Sequence, residues 1–175
     1  MKRILLLSDM PPTPDYTAGI VLDQLTSFLP KNSLACFVVL NRFLHPKVPH
    51  RFRRTPTEYW EKPRENWVPF FRNKGWPVPM LCSAVTEVFT RQVRIRRIVR
   101  EIIHFGLKRK VKALWCILEG QTIIRLALPV AEGLRVPLLT EVWDPPDWWM
   151  RDNQFYWFTR SEVLREFKRA ISKSA

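Results

Sequence analysis

Four short, almost uninterrupted apolar runs limit this chain to a narrow range of folds. They cover residues 3–8 (RILLLS), 34–40 (LACFVVL), 113–118 (ALWCIL) and 137–142 (PLLTEV). Each has the length of a strand buried on both faces, and the residues between the runs carry helical periodicity. Strands that alternate with helices are typical of a parallel sheet. The sequence therefore predicts an α/β fold, a Rossmann-like, doubly wound and mostly parallel sheet flanked by helices.

The helices are predicted from apolar residues that recur every three or four positions. The first begins at Gly19 and ends before Pro30, and later helices cover about 81–105, 122–133 and 161–171. Gly106 is expected to end the second helix. One or two short strands are expected within residues 41–80. A further strand is expected after residue 171, and its absence favours a piece of a larger protein over a final helix that covers the sheet edge.

Polar residues follow the predicted strands at the edge where open α/β sheets bind ligands. Asp9 follows the first strand, and Gly19 opens the next helix, where a glycine lets a phosphate approach the backbone N–H groups. Glu119 follows the third strand. Each residue has a structural alternative. Gly19 would only allow the helix to begin, and Gln121 or Thr122 would cap the helix that starts near 122, with Glu119 stabilising the N-terminus of that helix. The GxGxxG pattern is absent, which disfavours NAD binding.

The last predicted strand is followed by a predicted loop that is rich in tryptophan and proline. Pro145 and Pro146 fix φ and remove two backbone donors, so the strand cannot continue past Asp144. Asp144 is the candidate catalytic residue, which would bind a substrate hydroxyl or stabilise positive charge on a sugar. An Asx turn is the alternative. Further substrate contacts, including flat faces that suit sugar rings or lipid headgroups, are predicted for Trp143, Asp147, Trp148 and Trp149.

The net charge of +13 favours an anionic partner, which would be a phosphate ligand, an acidic lipid surface or nucleic acid. Positive charge is concentrated in residues 91–112, where Glu101 is the one acid. This basic helix is predicted either to be an ordinary solvated face or to make peripheral contact with an anionic membrane. No recognition motif accompanies the charge, so specific nucleic-acid binding is not expected.

Several features bear on location and chemistry. The three histidines are dispersed, so no metal site is expected. Cys36 and Cys116 lie in apolar runs and are expected to be reduced core residues. No segment reaches the ~18 apolar residues of a membrane span, and the first run is too short for a signal peptide. The expected location is the cytoplasm, with the inner face of the membrane as a peripheral site.

Three segments carry a resemblance to a known family. Residues 4–25 (ILLLSDMPPTPDYTAGIVLDQL), 114–149 (LWCILEGQTIIRLALPVAEGLRVPLLTEVWDPPDWW) and 163–175 (VLREFKRAISKSA) resemble, in this order, the N-terminal half of a GT-B glycosyltransferase of the family 4 type. Residues 41–80 are unmatched. In this family a His-Asp pair often follows the strand that matches 137–142. This chain has Trp143 and Asp144 there, so only Asp144 carries over.

The resemblance implies two Rossmann-like domains that face each other across a cleft. Residues 1–175 would be the N-terminal, acceptor-side domain, inactive alone because the C-terminal donor-binding domain is absent. The donor would be a nucleotide sugar, the acceptor a glycan or a lipid-linked molecule, and transfer would retain configuration without a metal or other cofactor. Gly19 would approach the donor phosphates. The alternative function is a non-catalytic Rossmann-like module that binds an anionic membrane surface or nucleic acid through its basic helix.

Overall fold

A five-stranded parallel sheet forms the centre of the computed structural model, which describes residues 3–66, 75 and 77–175. The strand order is β3-β2-β1-β4-β5, and every neighbouring pair is parallel. The strands are β1 Arg3–Ser8, β2 Leu34–Leu40, β3 Thr57–Glu61, β4 Val111–Ile117 and β5 Leu138–Glu141. The predicted Rossmann-like α/β fold is confirmed. β3 is a short strand within the stretch where one or two were expected; residues 67–74 and 76 of that stretch lie outside the described residues.

Helices cover both faces of this sheet. They are α1 Thr17–Ser27, α2 Val78–Phe89, α3 Arg96–Lys108, α4 Gly120–Leu134, α5 Pro146–Asp152 and α6 Trp157–Ser172, with a π-helical segment at Thr90–Ile95 and a 3₁₀ turn at His50–Phe52. Alternate β1 residues supply the two cores. Leu5 and Leu7 pack with Ile102 of α3 and Ile123 of α4, whereas Leu6 packs with Leu22 of α1. The sheet is therefore doubly wound. None of the helices in the described residues has the length and apolarity needed to cross a bilayer.

Two predictions about the helices were wrong. Gly106 does not end a helix but lies buried inside α3, where a Cβ atom would come within 2.8 Å of the Leu134 side chain. Its missing side chain therefore lets α3 pack closely on α4. The tryptophan-proline segment was expected to be a loop, yet α5 begins at Pro146, because proline is tolerated in the first helical turn.

The large apolar residues of α2 and of the π-helical segment do not face the core. Val85, Val88, Phe89 and Val93 are all about half exposed or more. The residues of α2 that are buried are Pro79, Ser83 and Glu87.

The predicted core cysteines are confirmed as free, buried residues. Burial raises the pKa of Cys36 to about 12, although a hydrogen bond with Thr57 offsets part of the effect. Burial alone raises the pKa of Cys116. Both thiols are therefore protonated at neutral pH, which makes them unreactive.

The open edge of β5 is partly covered by the residues that follow α6. Ser174 forms an isolated parallel bridge with Leu138, and the Ala175 N–H donates to the Leu138 carbonyl at 2.8 Å. The Ser174 hydroxyl also accepts a hydrogen bond from the Thr140 N–H at 3.1 Å. It is these residues, rather than α6 itself, that satisfy backbone groups at this edge.

Candidate functional site

The carboxyl ends of all five strands meet at one edge of the sheet because every pair is parallel. Asp9 directly follows β1, Lys62 follows β3, and Glu119 lies two residues beyond the end of β4. Asp144 lies three residues beyond β5. The chain reverses its winding direction between the adjacent strands β1 and β4, and a crevice at such a switch point is where open α/β sheets bind ligands. The topology thus places the turns after residues 8, 118 and 142 on a common edge, as the sequence predicted.

Lys62 connects the strands across this edge. Its Nζ lies 2.9 Å from Asp9 Oδ2 and 3.2 Å from Glu65 Oε2. Burial acts to lower the pKa of Lys62, but the carboxylates of Glu65 and Asp9 outweigh it and raise that pKa. The ammonium is therefore always charged and neutralises part of an acidic cluster.

Glu65 links the same cluster to the start of α4. Its Oε1 accepts a hydrogen bond from the Thr122 N–H at 2.8 Å, and its carbonyl accepts one from Gln121 Nε2. Gln121 or Thr122 was expected to cap α4. The helix begins at Gly120, however, and the side chain of its N-cap residue, Glu119, forms no capping hydrogen bond. The Glu65 carboxylate, from the segment after β3, caps the helix instead through the Thr122 N–H. Neither Lys62 nor Glu65 is among the site residues predicted from the sequence.

Gly120 is required where these segments meet. Its φ is +75°, which favours glycine, and a Cβ atom would lie 2.8 Å from Lys62 Nζ and 2.9 Å from Glu65 Oε1. The glycine between Glu119 and Gln121 was the available signal for this close approach. Its meaning depends on the position of β3, which precedes Lys62 and could not be located from the sequence.

Glu119 has the most altered ionisation at this edge. Burial first, and then the nearby charges of Asp9, Asp144 and Glu65, raise the pKa of its carboxyl to about 7, while Lys62 acts in the opposite direction. Between pH 4.5 and about pH 7, Glu119 keeps a proton in the folded protein that it releases in the unfolded chain. Glu119 therefore lowers stability as the pH rises through that window. A carboxyl group with this property in a crevice is a functional candidate.

Gly19 lies at the first turn of α1, where a phosphate contact was predicted. It is buried, and a Cβ atom would lie 2.0 Å from Thr13 Cγ2 and 3.0 Å from the Pro11 carbonyl oxygen. The Thr13 N–H also donates to the Gly19 carbonyl at 3.1 Å. The close approach that the glycine allows is thus used by the chain's own loop. The role of Gly19 in binding a donor phosphate stays a prediction.

Some of the side chains after β5 have partners within the protein, and others are exposed to solvent. The Trp143 indole donates to Glu141 Oε1 at 2.6 Å, and its ring packs on the α1 side of the sheet. Asp147 is paired with Arg151 at 2.5 Å and with Arg160 at 3.2 Å. Both residues thus have structural partners. Exposed side chains that remain free to meet a ligand here are those of Asp144 and Trp148.

A cavity of about 600 Å³ adjoins the acidic cluster at the ends of β2 and β3. Its walls include Lys62 and Glu65, so it opens directly beside the switch-point crevice. The other lining residues are mainly polar and include three arginines: Asn41, Arg42, Phe43, Glu61, Pro63, Arg64 and Arg94. Such a lining suits a ligand that carries hydroxyl groups or negative charge.

Two further predictions concern α3 and metals. Ile98, Ile102 and Phe105 of α3 are buried, whereas Arg96 and Arg100 are exposed, so the basic face of this helix points to solvent.

In residues 3–66, 75 and 77–175, no group of three or more His, Cys, Asp or Glu side chains could hold a metal ion.

Comparison with known proteins adds little. No protein-family model and no curated protein matches the chain. A similar fold occurs in the structure of Phytolacca americana UGT2, a UDP-glycosyltransferase, complexed with UDP-2fluoro-glucose and pterostilbene. The sequences are 14% identical, the TM-score is 0.44, and the match covers 83% of this chain but 32% of that one. Likeness at this level identifies neither a family nor an activity.

Proposed function

We propose that this chain is the acceptor-side domain of a glycosyltransferase that moves a sugar from a nucleotide-sugar donor to a glycan or lipid-linked acceptor. The observation that carries the proposal is Glu119, a partly buried carboxyl group with a pKa of about 7 at the switch-point crevice. Asp144 lies close enough to influence it, and the polar cavity lies on the other side of Lys62 and Glu65, which line it. Convergent carboxylates beside a polar cavity are the groups that fix sugar hydroxyls.

In this proposal Glu119 and Asp144 accept hydrogen bonds from acceptor hydroxyls, and Trp148 offers an exposed apolar face to a sugar ring. The acceptor oxygen bonds to the anomeric carbon while the bond from that carbon to the nucleoside diphosphate breaks. The hydroxyl proton leaves with the diphosphate. Retention of configuration, independence of metals, and a contact between Gly19 and the donor phosphates are proposed from the family 4 resemblance. The donor-binding groups would belong to a second domain.

Substitutions in the crevice of the full-length gene product test this proposal. A screen of nucleotide sugars with glycan and lipid-linked acceptors should reveal transfer. Glu119→Gln and Asp144→Ala should each lower kcat/KM for the acceptor by about 10–100-fold, because a misplaced hydroxyl reacts slowly. The KM for the donor should change little. Since ionised Glu119 is the better acceptor, wild-type kcat/KM should rise as the pH passes about 7.

Glu132→Gln is the matched control. Glu132 is an exposed glutamate near the opposite end of the same helix, about 20 Å from Glu119 along the helix axis. This variant should transfer sugar at the wild-type rate. Absence of transfer from every nucleotide sugar would contradict the proposal. So would full activity of both crevice variants.

A further inference from the structure

Helix α2 has its polar and apolar faces reversed relative to an ordinary surface helix. Its buried positions include Ser83 and Glu87, and Thr90 continues that buried face into the π-helical segment. The opposite face carries large apolar side chains that are between 45% and 69% exposed: Val78, Leu81, Val85, Val88, Phe89 and Val93. A helix on a soluble surface turns its apolar stripe toward the core. This one turns it away.

The orientation of α2 is fixed by charge. Glu87 is 8% exposed and forms an ion pair with Arg125 of α4, which is 4% exposed. Rotating α2 to bury its apolar stripe would break this pair and leave the Arg125 guanidinium buried without Glu87. Breaking a buried ion pair in this way costs about 3–5 kcal/mol, which opposes the rotation. The exposed stripe is therefore a stable feature of the fold.

The stripe is long and continuous. Its members recur every one to four residues from position 78 to position 93, which corresponds to about 22 Å of helix. Single exposed apolar residues are common on proteins, but a contiguous apolar surface of this length marks an interaction site.

Positive charge directly follows the stripe along the chain. Exposed arginines at 94, 96, 97 and 100 continue from it, and Glu101 is the one acid in residues 91–112. An apolar helix face flanked by arginines matches an anionic bilayer, because the side chains enter the acyl region while the guanidinium groups meet the headgroup phosphates. Nucleic acid would bind the arginines through its phosphates but would leave the apolar stripe without a partner.

We propose that α2 and the π-helical segment dock in the interface of an anionic membrane, with the apolar stripe inserted and the arginines at the headgroups. Docking would place the acidic crevice and its cavity beside the bilayer, since Arg94 lines that cavity. This inference stands on the surface of α2 and does not depend on sugar transfer.

Vesicle flotation of the whole chain tests the proposal. The wild type should bind vesicles of equimolar phosphatidylcholine and phosphatidylglycerol, bind phosphatidylcholine alone weakly, and be released by high salt. Val85→Ser/Phe89→Ser should weaken binding by about tenfold or more, because it removes inserted apolar surface. Arg94→Gln/Arg96→Gln should weaken binding to a similar extent, about tenfold, and reduce its salt dependence. Leu81→Ser, a milder change in the same stripe, provides a second test of insertion.

Matched controls lie on the other face of the sheet, which α1 covers. Phe28→Ser removes an apolar side chain that is 84% exposed, and Lys31→Gln removes an exposed charge. Both should bind vesicles as the wild type does. The proposal is overturned if the wild type does not bind anionic vesicles, or if the stripe variants bind them normally. It is also overturned if the stripe instead holds two copies of the chain together, or if nucleic acid binds more tightly than the vesicles.

Discussion

Arg125→Ala should lower the free energy of unfolding by about 3–5 kcal/mol, because it leaves a buried carboxylate without its cation. The Arg125 side chain is 2% exposed. Its guanidinium forms an ion pair with Glu87 that lacks the alignment of a hydrogen bond. The same guanidinium lies 3.2 Å from Glu166 and 3.8 Å from Glu162. One side chain of α4 thus holds both α2 and α6. Chemical denaturation at neutral pH measures the loss.

Two further variants separate charge from packing. Arg165→Ala removes an arginine whose side chain is 69% exposed and which also pairs with Glu162, so it should cost less than about 1 kcal/mol. Arg125→Met/Glu87→Gln removes the buried charge together with its partner and should recover most of the loss. If Arg125→Ala proves no more harmful than Arg165→Ala, the buried cluster does not hold the helices.

Lys62→Met should lower the free energy of unfolding by about 2–3 kcal/mol at pH 8, because Asp9 and Glu65 would then repel each other across a partly buried edge. The loss should be smaller at pH 5, because Glu119, whose pKa is about 7, is then uncharged and this edge carries less negative charge. Thermal unfolding at the two pH values measures the difference. The substitution should also impair any ligand binding in the adjoining cavity.

Lys47→Met is the control for Lys62. Lys47 also pairs with an aspartate, Asp15 at 3.7 Å, but its side chain is 82% exposed. Solvent screens such a pair, so the expected cost is less than about 1 kcal/mol at either pH. An equal cost for the two lysine variants, or a Lys62→Met loss that does not change with pH, would mean that the carboxyl edge is not an electrostatic unit.

The sheet could be predicted because β1, β2 and most of β4 are almost continuously apolar, which is typical of strands buried on both faces, and β5 begins with two leucines. β3 could be anticipated but not located. Three of the five residues in its sequence, TEYWE, are polar, and it lies at the edge of the sheet, with Pro56 before it and Pro63 shortly after it. Edge strands need less apolar surface, so their signal is weaker.

Three of these five residues at the carboxyl edge could be predicted from the strand pattern. Asp9, Glu119 and Asp144 could be placed together because parallel strands end at one edge. Lys62 and Glu65 could not, because their position depends on β3.

The surface of α2 shows another limit of sequence reasoning. Periodicity reveals that Val85, Val88 and Phe89 share a helix face, but it does not say whether that face points inward. The direction depends on the long-range ion pair between Glu87 and Arg125, which a local pattern does not contain. The same limit applies to Gly19, whose neighbour in space is a loop of the chain itself.

A pH titration of the Glu119 carboxyl carbon by NMR shows whether the carboxyl edge forms one coupled acidic site. We expect a pKa of about 7 in the wild type. We also expect a lower pKa in Asp9→Asn and in Asp144→Asn, because each removes a negative charge that raises it. A Glu119 pKa near the ordinary value of 4.5 that neither substitution changes would mean that these carboxyl groups are not coupled.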